Sequence, residues 1–124
     1  MAELQVALVS VEREIWSGEA REVNTRTTEG ELGILPGHTP LLGQLTAGAT
    51  VRISRDDGDI LAAVHGGFLS VTDEGVTVLA EIAELSDDID TARARTALER
   101  ARSENDEDAE SRAAARLAAA GEKV

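Results

Sequence analysis

The chain has 124 residues, a length that suits one compact domain with at most a small appendage. It has no cysteine, which excludes disulfides, thiolate metal sites and a cysteine nucleophile. Its formal net charge of −12 would repel a nucleic-acid duplex or an anionic membrane surface, so no nucleic-acid partner is expected. The N-terminus lacks a signal-peptide pattern and no apolar run approaches the ~20 residues of a membrane span, so we expect a soluble intracellular protein without direct membrane insertion.

Apolar and polar residues alternate with a period of two up to about residue 85, which is typical of half-buried strands. Leu4, Val6 and Leu8 share one face of the first predicted strand. Val51 and Ile53 share one face of a later strand. Glycine-bearing turns are predicted at residues 56–59 (DDGD), 66–67 (GG) and 73–75 (DEG). Short strands separated by such turns predict an antiparallel β-sandwich or flattened barrel.

The pattern changes at Ser86, after which two short helices are predicted to form an antiparallel hairpin. A serine or aspartate within residues 86–90 (SDDID) is expected to cap the first helix, with acidic residues in its first turn. Asn105 or Asp106 is expected to cap the second helix. Leu98 and Leu117 are nearly the only large apolar residues of this segment, so the hairpin should be held loosely and be free to dock or extend.

Familiar catalytic signatures are missing, including the phosphate-binding loop GxxxxGK[ST], HExxH, GxSxG and GxGxxG. The two histidines, His38 and His65, fall in a predicted turn and at a predicted strand end, and their spacing does not support a metal site. We therefore assign no catalytic residue and no metal ligand. The chain alone is not expected to be an enzyme or to require a cofactor.

The segment GELGILPGHTPLL (residues 30–42) is the most distinctive part of the strand region. Gly30, Gly33 and Gly37 permit positive φ, while Pro36 and Pro40 fix φ and interrupt sheet pairing. One interpretation is a rigid irregular connection between two strands. The other is that this rigid loop also carries binding contacts, as loops on a β scaffold commonly do.

Four motifs together point to a known family. They are GELGILPGHTPLL (30–42), GGFLSV (66–71), VTVLAEIAE (76–84) and DIDTARA (88–94). Their order resembles that of the epsilon subunit of F-type ATP synthases, over essentially the whole chain and least in the second helix. The resemblance implies an N-terminal β-sandwich (residues 1–85) followed by a C-terminal two-helix hairpin (residues 86–124), in agreement with the pattern analysis.

The resemblance also implies a function. The protein would be a non-catalytic subunit of the central rotor, coupling proton flow to ATP synthesis, with the sandwich packed on the gamma subunit and the c-ring. Glu31, Gly33 and His38 match positions that face the c-ring. The mobile hairpin would extend along gamma towards the alpha and beta subunits and restrain ATP hydrolysis. The location would be peripheral, at the cytoplasmic face of the bacterial plasma membrane.

IDTARA (residues 89–94) matches the family signature for binding ATP, which would act here as a regulatory ligand. The matching positions are Glu84, Ile89, Asp90, Arg93, Ala94, Arg100, Arg112 and Arg116. Spacing places Arg93 and Arg100 on one helix face, and Arg112 and Arg116 on another.

The alternative interpretation is that these arginines are ordinary surface charges. Pairs such as Asp108 with Arg112 and Glu99 with Arg102 are at helical spacing and would stabilise the helices only slightly. A freestanding nucleotide-sensing β-sandwich adaptor, without a rotary partner, is the alternative function.

Overall fold

The computed structural model describes residues 3–121, which form eight strands followed by two helices. The strands are β1 (Leu4–Ser10), β2 (Glu14–Ala20), β3 (Glu22–Thr27), β4 (Gly30–Ile34), β5 (Leu41–Gln44), β6 (Ala49–Ser54), β7 (Ile60–Thr72) and β8 (Gly75–Leu85). A single 3₁₀ turn (Ser86–Asp88) leads to α1 (Thr91–Ser103) and α2 (Glu107–Ala119). The predicted β-sandwich with a helical hairpin is confirmed. The outermost bounds of the two predicted units, residues 1 and 124, lie outside the described residues.

The strands are hydrogen-bonded in the order β2-β1-β8-β7-β6-β3-β4, and β5 pairs with β7. Most neighbours are antiparallel, as predicted, but β1 and β8 are parallel. This departure arises because one edge of β1 is taken by its hairpin partner β2, so the other edge is filled by a strand distant in sequence. The first and last strands of the sandwich are thereby joined.

The predicted strand break at Gly66-Gly67 is wrong, because β7 runs through both glycines while staying in one register with β8. What changes there is the face that is buried. Ala62 and Val64 point into the core before the glycines, whereas Leu69 and Val71 do so after them. Gly66 has φ +65°, and on its other edge β7 changes partner from β6 to β5. The glycines therefore form a corner rather than an end.

The core of the sandwich lies between its layers. Leu4, Val6 and Leu8 are buried, and so are Val51 and Ile53, which confirms the faces predicted from alternation. The hairpins predicted at residues 56–59 and 73–75 join β6 to β7 and β7 to β8.

Residues 30–42 are more regular than predicted, since Gly30–Ile34 is β4 and β5 begins at Leu41. Gly30 and Gly37 have positive φ, but Gly33 does not. Gly33 instead pairs with Asn24 in the β3–β4 ladder, where a Cβ would lie 3.0 Å from the Asn24 amide oxygen. The irregular connection is confined to residues 35–40.

Both helices begin at an aspartate. The Asp90 carboxylate accepts a hydrogen bond from the Arg93 backbone N–H at 3.0 Å, and Asp106 caps α2 through Ala109 at 3.1 Å. The expectation of acidic residues in the first turn holds for α2 but is wrong for α1. Asp87 lies in the preceding 3₁₀ turn, because the extended backbone of Ile89 separates that turn from α1.

The hairpin has a small core of its own, formed by Leu98 and Leu117 with Ala94 and Ala113. The ion pair between Arg102 and Glu110 places the end of α1 beside the start of α2, so the hairpin is antiparallel. A separate cluster joins it to the sandwich: Ala63 of β7, Ala115 and Ala119 of α2, and the partly buried Ile89. Because alanines bury little area, the apolar contribution to docking is small.

Candidate functional site

A cleft of about 370 Å³ lies where the end of β8, the 3₁₀ turn and both helices meet. We call it the hairpin cleft. Its lining residues are Glu84, Asp88, Asp90, Arg93, Ala94, Ala97 and Arg116. They come from segments far apart in sequence, so the cleft exists only while the hairpin is docked on the sandwich.

The strongest polar contact across this boundary joins Glu84 of β8 to Arg116 of α2. The Arg116 Nε donates to Glu84 Oε1 at 2.5 Å, and each side chain keeps little more than a quarter of its surface exposed. A charge-assisted hydrogen bond that is partly shielded from water is stronger than a surface ion pair. This contact therefore fixes the position of α2 on the sandwich.

His65 lies beneath that contact, with 5% of its surface exposed. Its Nε2 is 3.9 Å from Glu84 Oε1, and neither ring nitrogen has a hydrogen-bond partner among residues 3–121. Burial lowers the pKa of His65 to about 4; Arg116 and Arg112 lower it as well, while Glu84 opposes the shift. His65 is therefore neutral near pH 7, and its approach to Glu84 is not an ion pair.

Other polar features lie on the outer surface of the sandwich. Glu31 and Gly33 share one face of β4 and line an open groove of about 880 Å³, where Glu31 pairs with Arg26 at 3.0 Å. His38 lies in the following turn, with its Nδ1 2.6 Å from the Thr39 carbonyl oxygen.

An apolar patch lies on the outer face where β5, β7 and β8 are neighbours. Phe68 and Leu79 are directly opposite each other in the β7–β8 ladder, and about half of each side chain is exposed. Leu42 of β5 lies two residues from the position opposite Phe68 and is more exposed still. We call these three residues the apolar patch.

Residues 3–86 match the family model described as the ATP synthase Delta/Epsilon chain beta-sandwich domain. A relative from Streptomyces coelicolor, named ATP synthase epsilon chain, is 55% identical over 119 residues, which is 96% of each chain. The chain belongs to the ATP synthase epsilon chain family. The resemblance predicted from the four motifs is thereby confirmed, and the protein is a subunit of an ATP synthase.

Further epsilon chains and solved ATP synthase structures are also similar to this chain. The Mycobacterium avium epsilon chain is 53% identical over 122 residues, 98% of each chain, and that of Rhodococcus opacus is 58% identical over 99 residues, 79% of this chain and 81% of the relative. A chain in the Euglena gracilis mitochondrial ATP synthase OSCP/F1/c-ring structure matches with a TM-score of 0.74 and 27% identity, covering 94% of this chain and 76% of that one. A Tetrahymena thermophila central stalk/c-ring structure, at 20% identity and a TM-score of 0.55, shares the fold.

The hairpin cleft brings together five of the eight positions that match the epsilon-family ATP signature. They are Glu84, Asp90, Arg93, Ala94 and Arg116. The other three do not line it: Ile89 packs against the alanines that join hairpin to sandwich, Arg100 is exposed, and Arg112 is half-buried.

Sequence reasoning missed two lining residues, Asp88 and Ala97, and the burial of His65. The sequence around His65, ILAAVH (residues 60–65), could have indicated its burial. This run is apolar on both faces of the strand, so neither face is expected to be exposed to water.

The lining of the hairpin cleft holds three carboxylates and two arginines, so the docked cleft has no excess of positive charge.

Two arginines of the hairpin form ion pairs outside their own helix. Arg102 pairs with Glu110 of the opposite helix at 3.1 Å, and Arg116 pairs with Glu84 of the sandwich.

Within residues 3–121, no helix is long and apolar enough to span a membrane, and no cluster of residues suited to hold a metal ion is found.

Proposed function

We propose that the protein is a non-catalytic central-stalk subunit of an F-type ATP synthase, which couples proton flow to ATP synthesis and regulates ATP hydrolysis through its helical hairpin. Family membership supports the assignment to the enzyme complex. One structural observation carries the regulatory role: the hairpin has its own core, and its apolar contacts with the sandwich are mostly made by alanines. Such an element opens at a small fraction of the cost of global unfolding.

The proposed units are residues 1–85, which remain bound in the complex, and residues 86–124, which move. In the extended state the hairpin would reach the alpha and beta subunits. The complex would hold the protein as a peripheral component at the cytoplasmic face of the bacterial plasma membrane. The Euglena gracilis structure that matches this chain is an OSCP/F1/c-ring assembly, which supports a position within the ATP synthase complex.

The apolar patch is the proposed contact with the gamma subunit. Exposed apolar side chains that are adjacent on a rigid sheet are typical of protein interfaces, and aromatic residues are enriched at their centres. Phe68 and Leu79 meet both conditions. The c-ring contact is proposed at Glu31, Gly33 and His38, on the outer face of β4 and the turn that follows.

ATP is proposed as a regulatory ligand of the hairpin cleft, not as a required cofactor. Arg93 of α1 and Arg116 of α2 lie on different walls, and guanidinium groups bind phosphate oxygens in a bidentate way. A triphosphate must compete with Glu84 for Arg116, so we expect weak affinity. Because the cleft needs both helices, bound ATP would favour the docked hairpin by mass action.

The decisive experiment compares ATP synthase assembled with the full chain and with a chain that ends at Leu85. We expect assembly and ATP synthesis to persist and ATP hydrolysis to rise when the hairpin is removed. Loss of assembly would contradict a purely regulatory hairpin. A full chain that fails to co-purify with gamma would favour the freestanding nucleotide-sensing adaptor.

A further inference from the structure

His65 is buried, which is unusual for a histidine, since the ordinary pKa of this residue type lies near neutral pH. It lies on the face of β7 that the helical hairpin covers, together with Ala63, and both are buried. A buried imidazole normally has a hydrogen-bond partner, because leaving a polar atom unpaired costs free energy. Within residues 3–121 both ring nitrogens of His65 lack one. Because α2 packs on this face of β7, the burial of the ring depends on the docked hairpin.

We propose that protonation of the His65 imidazole releases the helical hairpin from the sandwich, so that hairpin docking is controlled by pH. The proposal concerns the isolated chain and does not depend on the assembled enzyme. It extends the proposed function by naming a signal, the proton, that shifts the hairpin between its two states.

The charges around His65 make its protonated form unfavourable in the docked state. From α2, Arg116 and Arg112 act on the ring, and both repel an imidazolium. From β8, Glu84 attracts it, but that carboxylate already accepts a hydrogen bond from Arg116 at 2.5 Å. A charged His65 would therefore compete with Arg116 for the same carboxylate, at the contact that holds α2 in place.

Three further charged groups line the hairpin cleft together with Glu84 and Arg116. They are Asp88 of the 3₁₀ turn, the α1 cap Asp90 and Arg93 of α1. The charged groups that act on the pKa of His65 are Arg116, Arg112 and Glu84, and the Glu84 carboxylate is 3.9 Å from its Nε2. The apolar contacts between hairpin and sandwich are mostly made by alanines, so they contribute little free energy to docking. The free-energy cost of burying one charge at this position is large in comparison.

The direction of the pH effect follows from the two pKa values. In the docked protein the pKa of His65 is about 4, whereas an exposed imidazole titrates near 6.5. Docking is therefore strongest above pH 6.5, where His65 is neutral in both states, and weakens as pH falls towards 4. Between pH 7.5 and pH 5 we expect the docking equilibrium to fall by on the order of ten-fold or more.

Amide exchange in the full chain tests this directly. Protection factors, corrected for intrinsic rates, are measured at pH 7.5 and pH 5 for α1, α2 and the sandwich core. We expect protection in the helices to fall by about ten-fold or more, and protection in β1 and β8 to change much less. Unchanged helix protection in the wild-type chain would overturn the proposal.

Two variants separate His65 from other titrating groups. His65→Gln removes the titrating group at similar size and should abolish most of the pH dependence of helix protection. His38→Gln alters the other histidine, in the turn after β4, and should retain that dependence. The same pH dependence in His65→Gln as in wild type would overturn the proposal.

A second measurement needs no substitution at all. The imidazole C–H resonances of the unmodified protein report the titration of each histidine. His65 should titrate well below about 6.5, the ordinary value for an exposed imidazole; a His65 midpoint at or above that value would contradict the proposal, whatever the behaviour of the variants.

Discussion

The backbone of Gly48 packs directly against the carbonyl group of Ser111. Gly48 lies between β5 and β6 with φ +66°, and Ser111 lies in α2. A Cβ atom at Gly48 would overlap the Ser111 backbone, with the Ser111 carbonyl carbon only 2.6 Å away. The sandwich and the hairpin therefore meet here with no room for a side chain, and glycine is required both by its φ and by this close approach.

We predict that Gly48→Ala opens the hairpin without unfolding the sandwich. The added methyl group must displace α2, and positive φ adds strain of about 1–3 kcal/mol. The matched control is Gly37→Ala, since Gly37 has φ +83° but a Cβ added there would have nothing within 4 Å. Amide exchange should show lost protection in α1 and α2 for Gly48→Ala alone. Equal effects of the two substitutions would show that backbone strain, not the helix contact, is responsible.

A second prediction concerns the contact between Glu84 and Arg116. Glu84→Gln removes the charged acceptor and leaves Arg116 partly buried without its counter-charge, which should cost docking about 1–2 kcal/mol, a modest figure because both side chains keep some exposure. Glu81→Gln, an exposed neighbour on β8, is the control and should change protection of the helices very little. In Glu84→Gln the pKa of His65 should fall further, because Glu84 is the group that raises it. An unchanged His65 titration would contradict the proximity of these groups.

A third prediction tests the apolar patch. Phe68→Ala should weaken binding of the isolated gamma subunit by at least roughly ten-fold, as expected for an aromatic residue at the centre of an interface. Val11→Ala, in the connection between β1 and β2, is the control, because Val11 is 81% exposed and lies outside the patch. Calorimetric titration of each variant with gamma measures the effect. Equal affinities for Phe68→Ala and wild type would place the gamma contact on another surface.

A fourth prediction concerns ATP. Arg93 lines the hairpin cleft, whereas Arg100 lies two turns further along α1 and does not. At millimolar ATP, saturable amide shifts should occur in α1 and α2, and Arg93→Ala should weaken them. Arg100→Ala should leave them unchanged, although it removes the same charge from the same helix. Equal losses would indicate general electrostatic attraction instead of a site, and the absence of shifts in wild type would exclude ATP binding at this concentration.

Local chemistry in the sequence determined most of the secondary structure. Alternation fixed which side chains of β1 and β6 face the core, because successive side chains of a strand point to opposite faces. Turn residues fixed the two hairpins of β7, and Asp106 fixed the start of α2 through its hydrogen bond to the backbone. Four ordered motifs were enough to identify the family. In each case the deciding interaction spans only a few residues, or is a pattern of residue types.

Tertiary structure alone decided the features that depend on pairing between distant segments. The strand β7 continues through Gly66-Gly67 because β8 holds it in one register on both sides of the corner, which a local glycine signal does not reveal. His65, Glu84 and Arg116 are far apart in sequence and meet only because the β7–β8 register places Glu84 near His65 and α2 packs on β7, where Arg116 contacts Glu84. The His65 ring is buried, and its pKa lowered, because the hairpin is docked on the sandwich. Residue types at those positions do not specify this burial.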